Sequence, residues 1–116
     1  MTDDESREEL LTAIGNLWSL RAPEIVSDLG DLGRLLTQLP PGASGDSSLR
    51  LDARRDAHRL VGVLGVFGHH EAARAIAGVE RSLANVEPFD SAELANVVRG
   101  VLASVDAAAP NPQNRR

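Results

Sequence analysis

The chain has 116 residues, 42% of them apolar and 25% charged, a net charge of −5 and no cysteine. That is long and apolar enough for one domain with its own core, which sets aside a disordered chain. The lack of cysteine excludes disulfides and thiolate metal sites. A negative chain without a basic block argues against a nucleic-acid backbone as partner. No apolar run approaches the ~20 residues that span a bilayer. The opening "MTDDESREE" is acidic and polar, unlike a secretory signal. A cytoplasmic protein with no membrane partner is the expectation.

The valines sit at helical spacing rather than in strict alternation, so the periodicity predicts an all-α chain. A first helix is predicted from about Asp4 to Leu20, with Leu10, Leu11, Ile14, Leu17 and Trp18 on one apolar stripe. Trp18 is expected to serve the core or a subunit contact. A second helix is predicted to begin near Pro23, a residue suited to a first turn. Its inner face is Ile25, Leu29, Leu32, Leu36 and Leu39, flanked by Val26 and Leu35. "PPGASGDSS", residues 40–48, is a loop of turn formers.

A third helix starts near Ser48 with Leu49, Ala53, Ala57, Leu60, Leu64 and Phe67 inward, and Gly68 is expected to end it. A fourth follows from about His69 to Asn85, with Ala72, Ala73, Ile76, Val79 and Leu83 inward. After a break at Pro88, Asp90 is predicted to be an N-cap, with Glu93 three residues later. The last helix carries Leu94, Val97, Val98, Val101, Leu102 and Val105. Five helices with short connections predict an up-down four-helix bundle with an additional N-terminal helix. That extra helix either caps the bundle or packs with the second as one bent segment.

The third helix carries the candidate chemistry. With His58 at 0° and 100° per residue, Leu60, Leu64 and Phe67 fall at roughly 200°, 240° and 180°. His58 therefore stands opposite the core. Gly62 and Gly65 fall at roughly 40° and roughly −20°, on the histidine's own face. Arg54 and Arg55 fall at roughly −40° and roughly 60°, one turn earlier. A helical glycine costs about 1 kcal/mol relative to alanine. Here the glycines would strip the surface beside the imidazole down to backbone, so that something large can approach it. A neutral imidazole is a nucleophile near physiological pH. Nearby arginines would offset the charge of a phosphoryl group carried there. The chain has no P-loop, kinase glycine-rich loop or acidic metal cluster, so a partner would have to supply the phosphoryl group.

At "HRLVGVLGVFG" the sequence resembles the histidine phosphotransfer domain family of multistep phosphorelays. That family's motif is approximately H-x-L-K-G-x-x-G-x-[LF]-G, and its positions fall on His58, Leu60, Gly62, Gly65, Phe67 and Gly68. Downstream, the family often shows an apolar residue followed by a glutamate; at the corresponding spacing here stand Val79 and Glu80. The matched region covers roughly residues 49–87, and the helical pattern is compatible over 5–106. The resemblance implies a helical domain over residues 1–106, with 107–116 expected to be a disordered tail. It implies a phosphoacceptor at His58, which takes a phosphoryl group from a receiver-domain aspartate or a kinase and passes it to another receiver. The partners implied are response-regulator receivers and a sensor or hybrid histidine kinase. The chain itself would be a monomer that needs no cofactor, the receiver supplying Mg²⁺. It would be a carrier rather than an enzyme with its own ATP site. The receiver-facing or phosphoryl-facing residues would be Arg54, Arg55, Arg59, Val61, Gly62, Gly65 and His69.

Val61 departs from the family, which places lysine there near the phosphoryl group. The arginines are the candidate replacements, Arg54 and Arg55 having better angles than Arg59. The departure keeps an alternative open: a non-transferring adaptor that binds a receiver or kinase domain. A kinase dimerisation domain fits the helix count and glycine spacing less well. "HHE", residues 69–71, is a poor metal site, since adjacent helical histidines point about 100° apart.

Overall fold

The computed structural model describes residues 3–39, 48–85 and 89–108. Among these, four helices follow one another: α1 Asp3–Gln38, α2 Ser48–Val66, α3 His70–Ala84 and α4 Ser91–Ala108. They pack side by side as a bundle in which α1 touches α2 and α4, and α3 touches α2 and α4. No helix in the described part is long and apolar enough to cross a membrane.

The helix count corrects the expectation of five. The first two predicted helices are one, with Pro23 inside it. Proline removes a single amide donor and costs about 3 kcal/mol inside a helix. Ala22, Ile25, Leu29, Leu32 and Leu36 are all buried, so the bundle holds the chain helical from the proline onward. At 1.5 Å per residue this helix is about 54 Å long, which accounts for the 57 Å long axis of the molecule. The second correction concerns its N-terminal stripe. Leu10, Leu11, Ile14 and Leu17 are exposed: α1 has 36 residues against 15 to 19 in the other three helices, and its buried residues begin only at Ala22.

The core otherwise follows the predicted stripes. Ile25, Leu29, Leu32 and Leu36 of α1 meet Ala53, Ala57, Leu60 and Leu64 of α2, Ile76 and Val79 of α3, and Val98 and Val105 of α4. Val97 is the exception, being exposed at the rim. Helix α2 ends where Gly68 was expected to end it. Gly68 has φ +81°, the left-handed conformation that glycine adopts without strain. The His69 amide donates to the Leu64 carbonyl at 2.9 Å and that of Gly68 to Gly65 at 3.1 Å. This is a Schellman termination. Asp90 caps α4 as predicted: its Oδ1 accepts from the amides of Ala92 and Glu93 at 3.0 and 3.2 Å. Helix α4 runs to Ala108, two residues into the segment expected as tail. The loop at 40–47, the Pro88 break and the tail from 109 lie outside the described residues.

Among the described residues, one core residue is charged. Arg50, in the first turn of α2, is 4% exposed. Its Nε donates to the Leu83 carbonyl at 2.8 Å, and its Nη2 donates to that of Asn85. The guanidinium lies 4.7 Å from the Phe89 ring centroid. Arg50 thus satisfies carbonyls left open at the end of α3, a cap supplied from another helix.

Candidate functional site

The site is built on the seam between α2 and α3. On α2, Ala53, Ala57, Leu60 and Leu64 are completely buried. Their stripe fixes the rotation of the helix and turns His58 to solvent, its side chain 79% exposed. On α3, Val79 and Leu83 are buried and hold the adjacent Glu80 at the seam, 24% exposed. His58 Nδ1 and Glu80 Oε2 are 2.7 Å apart. An ionised carboxylate only accepts, so Nδ1 carries the proton in this bond. In the neutral ring the lone pair is then on Nε2. The hydrogen bond makes a freely rotating surface histidine into one of defined tautomer and orientation.

Leu51, Arg54 and Arg55 line the same open depression as His58 and Glu80. The two guanidiniums lie one turn before the imidazole, both exposed. On the other side of His58 the surface is bare. A Cβ built at Gly62 or Gly65 would meet nothing within 4 Å. Gly62 is four residues after His58, on the same face, and helical side chains lean toward the N-terminus. Any residue longer than alanine there would lean over the imidazole.

The remaining candidates are placed elsewhere. Arg59 turns to α1, where its Nη1 bonds Asp28 Oδ2 at 2.9 Å, with Asp56 at 3.8 Å. The hydrogen bond to Asp28 raises the Arg59 pKa above its ordinary value, against the opposing effect of partial burial. Val61 is half-buried and packs against the core, so no cation stands at that position. His69 lies at the end of the bundle, its ring centroid 4.4 Å from that of Trp18. Trp18 also touches Phe67 at 5.3 Å and donates from Nε1 to the Ala108 carbonyl at 3.4 Å. It therefore ties α1 to the ends of α2 and α4.

Glu80 is the residue that the candidate set left out. Its signal was its spacing from His58 along the chain, which sets it level with the histidine when two helices fold back across a short turn. Among the described residues no group of three or more histidine, aspartate or glutamate side chains could hold a metal ion. No family model, curated protein or solved structure matches the chain.

Proposed function

We propose that the chain is a phosphorelay intermediate whose phosphoacceptor is Nε2 of His58. The observation that carries this reading is the 2.7 Å bond from an exposed imidazole to a half-buried carboxylate. A receiver-domain aspartyl phosphate is the natural donor for a chain with no nucleotide motif of its own. The Nε2 lone pair attacks phosphorus, the P–O bond to the aspartyl carboxylate breaks, and that carboxylate leaves with the electron pair. The phosphorylated ring then carries phosphorus on Nε2 and a proton on Nδ1, and so a positive charge. Glu80 is placed to balance that charge, as the carboxylate partner of a catalytic histidine does. Arg54 and Arg55 supply positive charge toward the phosphoryl oxygens. The receiver supplies Mg²⁺, and this chain supplies a positioned nucleophile and a surface cleared by Gly62 and Gly65. Transfer to a second receiver aspartate is the same step reversed.

Incubation with a receiver phosphorylated on its aspartate should place an acid-labile, alkali-stable label on the chain. His58→Gln should abolish the label. Glu80→Gln, which keeps the size but not the charge, should slow labelling by roughly 10- to 100-fold. Absence of label with every receiver of the source organism, or label that survives His58→Gln, overturns the reading. Val61 favours one second reading, a receiver-binding adaptor without transfer, because the position the family fills with lysine is apolar here. An adaptor would bind a receiver with the same affinity before and after His58→Gln and would never take up label.

A further inference from the structure

Charge is unevenly spread over the molecule. Residues 48–85, the stretch that holds α2 and α3, carry six arginines against Asp52, Asp56, Glu71 and Glu80, a net +2 within a chain of −5. Four of these arginines, Arg54, Arg55, Arg74 and Arg81, are exposed. Among the described residues none of the four has a carboxylate within ion-pair distance. Arg54 and Arg55 stand about 5–6 Å along α2 from His58. Arg81 follows Glu80 directly and points away from buried Val79 and Leu83. It therefore stands at the outer edge of the face on which His58 bonds Glu80.

The carboxylates around this face are bonded or turned aside. Glu80 bonds His58, and Asp56 faces Arg59. Asp52 lies roughly 120° round α2 from His58, in line with Arg59 and so toward α1. Glu71 lines the seam of α3 with α4. On the bundle part of α1, Glu24, Asp28 and Asp31 are each paired with an arginine. Among the described residues α4 touches α1 and α3 and not α2. Asp46 and Glu87 lie outside the described residues. The unpaired negative charge is concentrated at the start of α1, in Asp3, Asp4, Glu8 and Glu9. Even Glu9 is about 28 Å along α1 from Asp28, the residue that Arg59 bonds. Charges are screened over about 8 Å at 0.15 M salt. A partner approaching His58 therefore meets the field of the arginines and not the net charge of the chain.

We propose that the α2–α3 face steers a negatively charged protein surface onto His58, and that Arg81 joins Arg54 and Arg55 as a steering residue. The inference rests on the phosphorelay reading, in which that partner is a receiver. A phosphoryl donor that brings its own Mg²⁺ holds it through carboxylates and phosphoryl oxygens, so its reacting face is negative. A nucleic acid is the poorer match, since its binding sites neutralise roughly six to ten phosphates, more than these arginines supply. Steering raises association rates by roughly 10- to 1,000-fold and weakens as salt is added. The sign of the salt effect is diagnostic here. Were net charge to govern, added salt would speed the meeting of this chain with an acidic receiver. Steering by the arginines requires the reverse.

Biolayer interferometry of the full chain on each immobilised receiver of the source organism measures the association rate directly. For a receiver that binds, the rate should fall roughly tenfold from about 0.05 to about 0.5 M NaCl. Arg81→Gln should lower it by roughly 2- to 4-fold at the low salt and leave it equal to the parent's at the high salt. Glu8→Gln combined with Glu9→Gln, at the far end of α1, should leave it at the parental value at about 0.15 M. All three side chains are exposed, so the fold tolerates these changes. A rate that is flat or rises with salt overturns the proposal. So does an Arg81→Gln rate equal to the parent's at low salt, or a double variant that speeds association as much as Arg81→Gln slows it. Binding to duplex DNA with no receiver bound at any salt overturns it as well. Salt-dependent binding without label at His58 keeps the steering surface and removes the transfer reading. Label taken up from a receiver whose association ignores salt keeps the transfer reading and removes the steering surface.

Discussion

The two faces of α2 obey different rules. The inward face is Ala53, Ala57, Leu60 and Leu64, each without measurable exposure. The outward face is Arg54, Arg55, His58 and Gly62, where an added Cβ at the glycine meets nothing. Burial explains every residue of the first set and none of the second. A solvent-facing helix position favours alanine, lysine or glutamate over glycine, and Gly62 shares that open setting with Gly15 of α1 and Gly100 of α4; what sets Gly62 apart is that it stands beside an exposed histidine held by a carboxylate. The comparison teaches where to look for function on a small helical domain: on the solvent face, where burial does not dictate the residues.

The comparison breaks most severely from the inside. Leu60→Ala leaves a cavity in the middle of the bundle and should destabilise it by about 2–5 kcal/mol. Urea denaturation followed by circular dichroism measures this. The folded fraction should still take label at His58, since the inward face sets the histidine's position but touches nothing that reacts. Loss of transfer out of proportion to loss of fold would show that the two faces are not separable.

Arg50 gives the next effect. Arg50→Met keeps the aliphatic stem and removes the donors, leaving the Leu83 carbonyl without its partner from α2. The cost should be about 1–3 kcal/mol, read from the same denaturation curve. A smaller effect follows at the end of the helix. Gly68→Ala puts a side chain on a left-handed residue and should cost about 1 kcal/mol. Fluorescence of Trp18 should respond as well, because its ring contacts Phe67 and His69 on either side of that turn.

How much of this was legible depends on whether the information is local. The buried stripes were legible because periodicity states which way a side chain points. Leu60 and Leu64 on α2 and Ile76 and Val79 on α3 lie where their spacing put them. Periodicity does not state whether anything covers a stripe. Leu10 and Ile14 have the same kind of spacing as Leu29 and Leu32, yet the first pair is exposed and the second buried. Pro23 misled for a related reason. A proline is a strong local signal, but tertiary packing decides whether the helix survives it. At the site, the outward turn of His58 and the clearing beside it were visible in the spacing. The partners depended on contacts between helices. The spacing already gave Arg59 the poorer angle, but its partner Asp28 stands on α1 and could not be read from α2 alone. Arg50 acts across helices, over separations of 33 and 35 residues, beyond the reach of any pattern within one helix, whereas Glu80 was marked by its spacing of 22 residues from His58 and lacked only a stated role.

The smallest stability effect is the most specific test of the outward face. Gly62 is helical and unobstructed, so Gly62→Ala should stabilise the chain by about 0.5–1 kcal/mol. Gly62→Gln should stabilise it too, since glutamine is also a better helix former than glycine. The two differ in reach. Alanine adds one carbon and leaves most of the approach to Nε2 open. Glutamine leans toward the preceding turn and occupies the space through which, on the proposed function, a receiver would come. Labelling from a phosphorylated receiver should therefore fall modestly in Gly62→Ala and by at least tenfold in Gly62→Gln, while both melt higher than the parent. If Gly62→Gln transfers at the parental rate, the glycine does not clear a path for a partner. If both variants melt lower, the outward face has a packing role that the open space around Gly62 contradicts. A chain that gains stability as it loses transfer would locate the reason for the glycine in the chemistry of His58.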